Sequence, residues 1–352
     1  MLRRLAALAA FALVGCGGAN LPPVELPDLA APPAVDGAID DGPPPPPTDL
    51  ARGCSATSPR AVPVTLYALP EAGELPFVEL LQRAQRSIRV MVYLMGRGGI
   101  LDTLKAKAKA GVQVQVILDR QQSANAGYSK ELQQAGAQVK LSDARFTYSH
   151  AKFFVVDETE ATIATGNYSL SYLQKERNFV ARDGDPADVA DLVQLFDADW
   201  GGGPLDLACT RLLVSPINAR QRLLELIRSA TNTLAVESMQ LADDEIRLAL
   251  AERRRAGVAV RVLLADPSWI TANRDAARVL APAGIELRYR VAPSVHVKAI
   301  TADGARAYVG SENLSYTSLT KNREVGLIAT EPAAVELVAR TFETDWSGAS
   351  SF

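Results

Sequence analysis

From about residue 60 onward the apolar positions of the chain follow two alternating rhythms. Phe77 to Arg86 and Ala219 to Ser229 carry apolar residues at helical spacing. Each is followed by a short apolar run of strand length, Val90 to Met95 and Leu234 to Met239. Helices are predicted next, from Ile100 to Ala110 and from Asp244 to Arg255, closed by Gly111 and Gly257. The β-branched runs Val112 to Leu118 and Val258 to Leu264 then predict strands. Lys152 to Val156 and Lys298 to Thr301 read as buried strands, and two amphipathic helices end in tryptophan segments. Strands alternating with helices predict an α/β fold.

The two rhythms are one pattern written twice, 146 residues apart. Ser149-His150-Ala151-Lys152 answers Val295-His296-Val297-Lys298, and Asp157 answers Asp303. Phe196-Asp197-Ala198-Asp199-Trp200 answers Phe342-Glu343-Thr344-Asp345-Trp346 at the same offset. A duplicated unit implies a pseudo-twofold axis, and an axis is where two equal parts build one site. The prediction is therefore two homologous α/β/α sandwich halves, 54–203 and 204–352, with the active site at their interface.

Ahead of the repeats the pattern changes. Arg3 and Arg4 precede an apolar run from Leu5 to Val14, which is too short to span a bilayer and predicts an export signal over residues 1–15. The junction Leu13-Val14-Gly15-Cys16 resembles the lipobox of bacterial lipoproteins, which implies that Cys16 is acylated and becomes the mature N-terminus. Acyl chains on that cysteine would hold the protein on a membrane. Residues 16–53 are expected to form a lipidated stalk: Pro43 to Pro47 are consecutive, and proline-rich chain extends at roughly 3 Å per residue. Gly17 lacks the acidic character that retains some lipoproteins at the inner membrane, so the expected location is the outer membrane of a bacterial envelope. Export also makes a disulfide between the two remaining cysteines, Cys54 and Cys209, plausible.

Charge narrows the choice of partner. The chain has 37 Lys and Arg against 40 Asp and Glu. Setting aside Arg3, Arg4 and the six stalk acids leaves 35 against 34 over residues 51–352, so the folded part is nearly neutral. A strong nonspecific nucleic-acid binder carries a basic excess, which is missing.

The sequence contains only two histidines, His150 and His296, at equivalent positions of the repeats. The second motif reads His296-x-Lys298-x4-Asp303-x6-Gly310-Ser311-x-Asn313; the first reads His150-x-Lys152-x4-Asp157 and reaches Gly166-Asn167-x-Ser169 after two additional residues. Cleaving a phosphodiester needs a nucleophile, a proton donor for the departing alkoxide and cations on the phosphoryl oxygens. Two His and two Lys supply that set, and imidazole titrates in the range that both proton roles require.

These motifs, paired over roughly residues 60 to 348, resemble those of the phospholipase D superfamily. The resemblance implies a covalent phosphohistidine intermediate, with His150 as nucleophile and His296 as general acid and base. It implies that Lys152 and Lys298 bind phosphoryl oxygens, helped by Asn167, Ser169, Ser311 and Asn313. In the family an acid some 28 residues after the histidine orients an imidazole. Glu324 stands there in the second repeat and Asn178 in the first, and whether Glu324 serves His296 or, across the axis, His150 is left open. Asp157 and Asp303 read as structural, because seven residues of strand carry a side chain roughly 20 Å from the histidine. Tyr148, Tyr168 and Tyr316 fit lipid docking at the site mouth as well as core packing. No metal or other cofactor is expected, since both histidines are already employed.

The expected function is a phospholipase D-type phosphodiesterase or phosphatidyl transferase acting on phospholipid at a membrane. A metal-independent endonuclease of the same superfamily, acting on nucleic acid, is the alternative. A cardiolipin-synthase-like transferase and a noncatalytic binding module come after these. A monomer is expected, because one chain carries both motifs.

Overall fold

The computed structural model describes residues 55–352. The expected signal peptide, the acylated Cys16, the stalk and Cys54 lie outside the described residues. Cys209 is disulfide-bonded.

The first repeat runs β1 (Thr65–Leu69), α1 (Leu75–Arg83), β2 (Ser87–Val92), α2 (Gly99–Lys109), β3 (Gln113–Leu118), α3 (Asn125–Gln134), β4 (Gln138–Leu141), β5 (Lys152–Val156), β6 (Glu160–Ala164), α4 (Leu170–Leu173), β7 (Glu176–Asp183) and α5 (Pro186–Gly201). The second runs β8 (Leu213–Ser215), α6 (Ala219–Arg228), β9 (Thr233–Ser238), α7 (Asp244–Arg255), β10 (Ala259–Ala265), α8 (Ala272–Leu280), β11 (Glu286–Arg290), β12 (Ser294–Val295), β13 (Lys298–Ala302), β14 (Arg306–Gly310), α9 (Tyr316–Thr320), β15 (Glu324–Ala329), α10 (Pro332–Ser347) and β16 (Ser350–Ser351). The sheets order as β4-β3-β2-β5-β6-β7-β1 and β11-β10-β9-β13-β14-β15-β8, which is the same topology twice. β2 and β9 start about three and one residues earlier than the apolar runs suggest, because the ladders recruit flanking polar residues.

Local rules explain the elements. The helices α5 and α10 begin at Pro186 and Pro332, whose fixed φ suits a first turn, and Asp185 caps α5 by accepting the Ala187 amide hydrogen. In β5 every residue is buried, because both faces of the strand are covered. Phe154 and Val156 point to the outer core under α1, α2 and α3, while Phe153 and Val155 point to the opposite face. On that face the two sheets share one core with α5 and α10: Met91, Phe153, Ala299 and Val309 meet Leu192, Phe196, Val338 and Phe342.

The repeats are also stitched by backbone. β12 of the second repeat pairs parallel with β7 of the first, setting Val295 opposite Arg177. The reciprocal bridge sets Ser149 opposite Arg323. Residue i meeting j while the equivalent of j meets the equivalent of i is the signature of a twofold-related contact.

Candidate active site

Each histidine immediately follows one of those reciprocal bridges. The His150 and Ala151 amides donate to the Arg323 carbonyl at 2.8 Å, and the His296 amide donates to the Arg177 carbonyl at 3.3 Å. The arginines are clamped in turn by the tryptophan segments of the opposite repeats. Arg177 donates to Asp345 at 2.5 and 3.1 Å, and Arg323 donates to Asp199 at 2.7 and 3.1 Å. The motif's two lysines then turn back identically: Lys152 donates to the His150 carbonyl at 2.6 Å and Lys298 to the His296 carbonyl at 2.7 Å. Both lysines are fully buried, and His150 and His296 are 6% and 2% exposed. Lys298 also reaches the Thr165 carbonyl of the first repeat at 3.4 Å, so the two motifs converge.

The imidazoles are held from across the interface, and not alike. His150 Nδ1 lies 2.8 Å from Glu324 Oε2, while the other Glu324 oxygen accepts from Ser318 (2.6 Å) and Asn322 (3.0 Å). Burial pushes the Glu324 carboxyl up, but His150, Lys152 and the Ser318 hydroxyl outweigh it and hold the group below its ordinary value. His296 Nδ1 lies 3.1 Å from Asn178 Oδ1, and Asn178 donates its amide to Glu176 at 3.3 Å. Burial lowers His150, with Glu324 opposing; burial together with Lys298 and Lys152 holds His296 well below the ordinary imidazole range. The open question of which imidazole Glu324 faces is thus answered by geometry: it faces His150.

Asp157 and Asp303 sit apart from this cluster. Both adopt left-handed backbone, φ 52° and 55°, at the turns after β5 and β13. Asp157 accepts the amides of Gln85, Arg86 and Ser87 at 2.7 to 2.8 Å, tying that turn to the start of β2. Asp303 does the same for Thr231, Asn232 and Thr233 ahead of β9.

The tail of the first motif needs correction. The structure keeps the 146-residue offset without two additional residues. Thr165 takes the place of Ser311: its hydroxyl accepts from the Phe179 amide at 2.9 Å, as the Ser311 hydroxyl accepts from Val325 at 3.0 Å. Ser169 is therefore the counterpart of Ser315, each standing at the N-terminus of a short helix, α4 or α9. Its hydroxyl meets Ser171 at 3.1 Å, and it lines a hollow of about 320 Å3 with Arg97, Tyr128 and Gln174. Asn167 and Asn313 each present a buried side-chain oxygen without a hydrogen-bond partner. Of the tyrosines, Tyr168 is buried in the outer core against Phe77, Tyr148 packs edge-on to Tyr93, and Tyr316 is exposed under Arg220 and Lys321.

Several residues of the site escaped the motif reading. Glu176 lies 3.8 Å from His296 Nδ1. The ring of Tyr93 packs 4.6 Å from that of His150, and the Asp119 carboxylate accepts the Ser149 amide at 2.7 Å. Glu312, the variable position between Ser311 and Asn313, is fully buried, and its carboxyl is pushed up to about 8 by burial and by Glu324. Tyr308 donates to it at 2.7 Å. The only sequence signal for Glu176 was its place one residue before Arg177, mirrored as Asn322 before Arg323.

The model of the family described as "Cardiolipin synthase, PLD-like domain" matches twice, over residues 77–200 and 223–346. The chain belongs to the phospholipase D superfamily. Among curated relatives, it is 24% identical over 323 residues to "Probable cardiolipin synthase YwiE" of Bacillus subtilis, covering 78% of this chain and 64% of the relative. It is 30% identical over 127 residues to "Mitochondrial cardiolipin hydrolase" of Danio rerio, covering 36% of this chain and 56% of the relative. The chain thus spans less than two thirds of the length of either. The solved phosphatidylserine synthase of Haemophilus influenzae shares the fold, with a TM-score of 0.64 at 13% identity over 82% of this chain and 87% of that one. The two superfamily matches begin and end 146 residues apart, the offset that the strands, histidines and arginine clamps keep.

Proposed function

We propose that this protein is a phospholipase D-type phosphodiesterase and phosphatidyl transferase that cleaves phospholipid headgroups through a covalent phosphohistidine. The observation that carries the reading is the convergence of His150-Lys152 and His296-Lys298 in one buried cluster, each imidazole oriented by a side chain of the other repeat. One imidazole attacks phosphorus, the other protonates the departing alkoxide, and the second step returns the phosphatidyl group to water or an alcohol. The lysine ammonium groups balance the phosphoryl charge. Phospholipid is favoured as substrate by the near-neutral charge of residues 51–352 and by the names of the relatives. A monomer suffices, because both motifs lie in one chain.

The test is incubation of the full chain with mixed phospholipid vesicles, ethanol and EDTA, beside His150→Ala, with products read by mass spectrometry. Phosphatidic acid and phosphatidylethanol are expected from the parent alone. A folded parent that yields neither, yet cuts nucleic acid under the same conditions, would sink the lipid reading.

We also propose that the protein is exported and anchored through Cys16. No helix among the described residues is long and apolar enough to cross a membrane. Cys16→Ser is expected to move the protein from the membrane fraction to the soluble fraction of the host envelope. Continued membrane retention of the variant would remove Cys16 as the anchor.

A further inference from the structure

The repeats differ beside Glu324 in a way that the motif does not explain. Around β14 and β15, the second repeat has Tyr308, Gly310, Glu312 and Gly326 where the first has Thr162, Ala164, Gly166 and Val180. The four differences make one niche. Gly310 and Gly326 are paired across the ladder, and the Glu312 carboxyl lies against both. A Cβ on Gly326 would stand 2.8 Å from Glu312 Oε2, and one on Gly310 would overlap that oxygen. The Tyr308 hydroxyl closes the niche by donating to Oε2 at 2.7 Å. The first repeat, which supplies the uncharged Asn178, has neither this carboxyl nor the paired glycines that admit it.

Glu312 is held where a charge is costly. It is fully buried, and its Oε1 has no hydrogen-bond partner among the described residues. The titratable and charged groups that act on it are Tyr308 of β14, Glu324 of β15 and Lys152 of β5. Glu324 precedes Gly326 by two residues and so shares its face of β15. His150, Lys152 and the Ser318 hydroxyl keep Glu324 ionised. Two neighbouring buried carboxyls do not both ionise readily, so the proton stays on Glu312. Burial and Glu324 push that carboxyl up to about 8.

We infer that Glu312 is a positioning residue of the site: an uncharged carboxyl that fixes Glu324 against His150 without adding a second negative charge. Its bearing on turnover rests on the phosphodiesterase reading above, and it holds for either role of His150. When Glu312 gives its proton to solvent, the new carboxylate repels Glu324 and adds negative charge behind it. That change reaches His150, which Glu324 holds, and bypasses His296, which Asn178 holds.

The test uses the untagged full chain labelled with 13C at histidine Cε1. Its only two histidines give two resonances, assigned with His150→Gln and His296→Gln. The imidazole of His150 titrates below its ordinary range, so a later inflection reports a neighbour. The wild-type His150 resonance is expected to inflect near pH 8, where Glu312 loses its proton. Glu312→Gln abolishes the inflection, and Tyr308→Phe, which removes the donor to Oε2, moves it to higher pH. An inflection that persists in Glu312→Gln, or that His296 carries and His150 does not, overturns the inference. So does a wild-type His150 resonance that does not respond. In turnover of a p-nitrophenyl phosphodiester, Glu312→Ala is expected to lower kcat/KM about 10-fold and Glu312→Gln to restore most of the loss. Wild-type turnover from Glu312→Ala overturns the positioning role. The resonances are read without substrate, so a wild-type chain that turns over no diester refutes the phosphodiesterase reading while the titration still decides whether Glu312 acts on His150.

Discussion

At the scale of single residues, the site is defined by what each imidazole touches. Glu324 opposes the downward pull of burial on His150, so removing its charge lowers that imidazole further. In Glu324→Gln the limb of the kcat/KM profile set by His150 is therefore expected to move to lower pH. Asn178→Asp adds a charge at His296 and raises its pKa, so the limb of the profile set by His296 is expected to move to higher pH. Profiles that do not move in these directions would show that the cross-interface partners do not tune the histidines. Asp157 behaves otherwise, because its carboxylate is occupied with the amides of Gln85, Arg86 and Ser87. Asp157→Ala is expected to cost about 2 kcal/mol of stability, seen in urea unfolding, with kcat nearly unchanged at a temperature where the variant stays folded. A large loss of kcat in the folded variant would assign the carboxylate to the chemistry instead.

At the scale of elements, the two arginine clamps carry the register of the site. Arg323 ties β15 to Asp199 at the end of α5 and to the Ser215 carbonyl, and its own carbonyl receives the His150 amide. Arg177 repeats the arrangement with Asp345 and the Leu69 carbonyl. Removing one partner of a buried pair strands the other charge, so Arg323→Ala is expected to destabilise the fold by about 3 kcal/mol and to depress turnover. Arg323→Met with Asp199→Asn should recover much of the stability and less of the activity, which a double-mutant cycle in urea measures. Gly166 reports on positioning with a smaller change: a Cβ there would stand 2.8 Å from the Asn178 amide. Gly166→Ala is expected to lower kcat by displacing the partner of His296, and kcat at the wild-type level would show that this contact is unimportant.

At the scale of the whole molecule, neither repeat completes the site by itself. The amide and the Nδ1 of each histidine are held by the other half, and the apolar surfaces of both sheets close over one shared core. Expressed alone, a polypeptide covering either repeat is expected to show no measurable diester turnover, and mixing the two is expected to restore part of it. Full activity from one repeat would mean that a self-paired copy supplies the missing partners.

The sequence by itself determined the duplication, the α/β rhythm, the histidine–lysine pairs and the remoteness of Asp157 and Asp303 from the histidines, because each of these depends on local periodicity or on spacing along one stretch of chain. It misplaced the counterpart of Ser311, because the motif reading anchored on the glycine, matching Gly166 to Gly310 and so Asn167 to Ser311, whereas the hydroxyl that accepts the strand amide is Thr165. What only the tertiary structure decided was which side chain faces which histidine. Glu324 is 174 residues from His150 in the chain and 2.8 Å from it in space. That contact is set by how the shared core and the reciprocal bridges seat one half on the other, and no local pattern records it. The same holds for Asp199 and Asp345, visible in the sequence as a repeated segment but recognisable as arginine clamps only once the halves are joined.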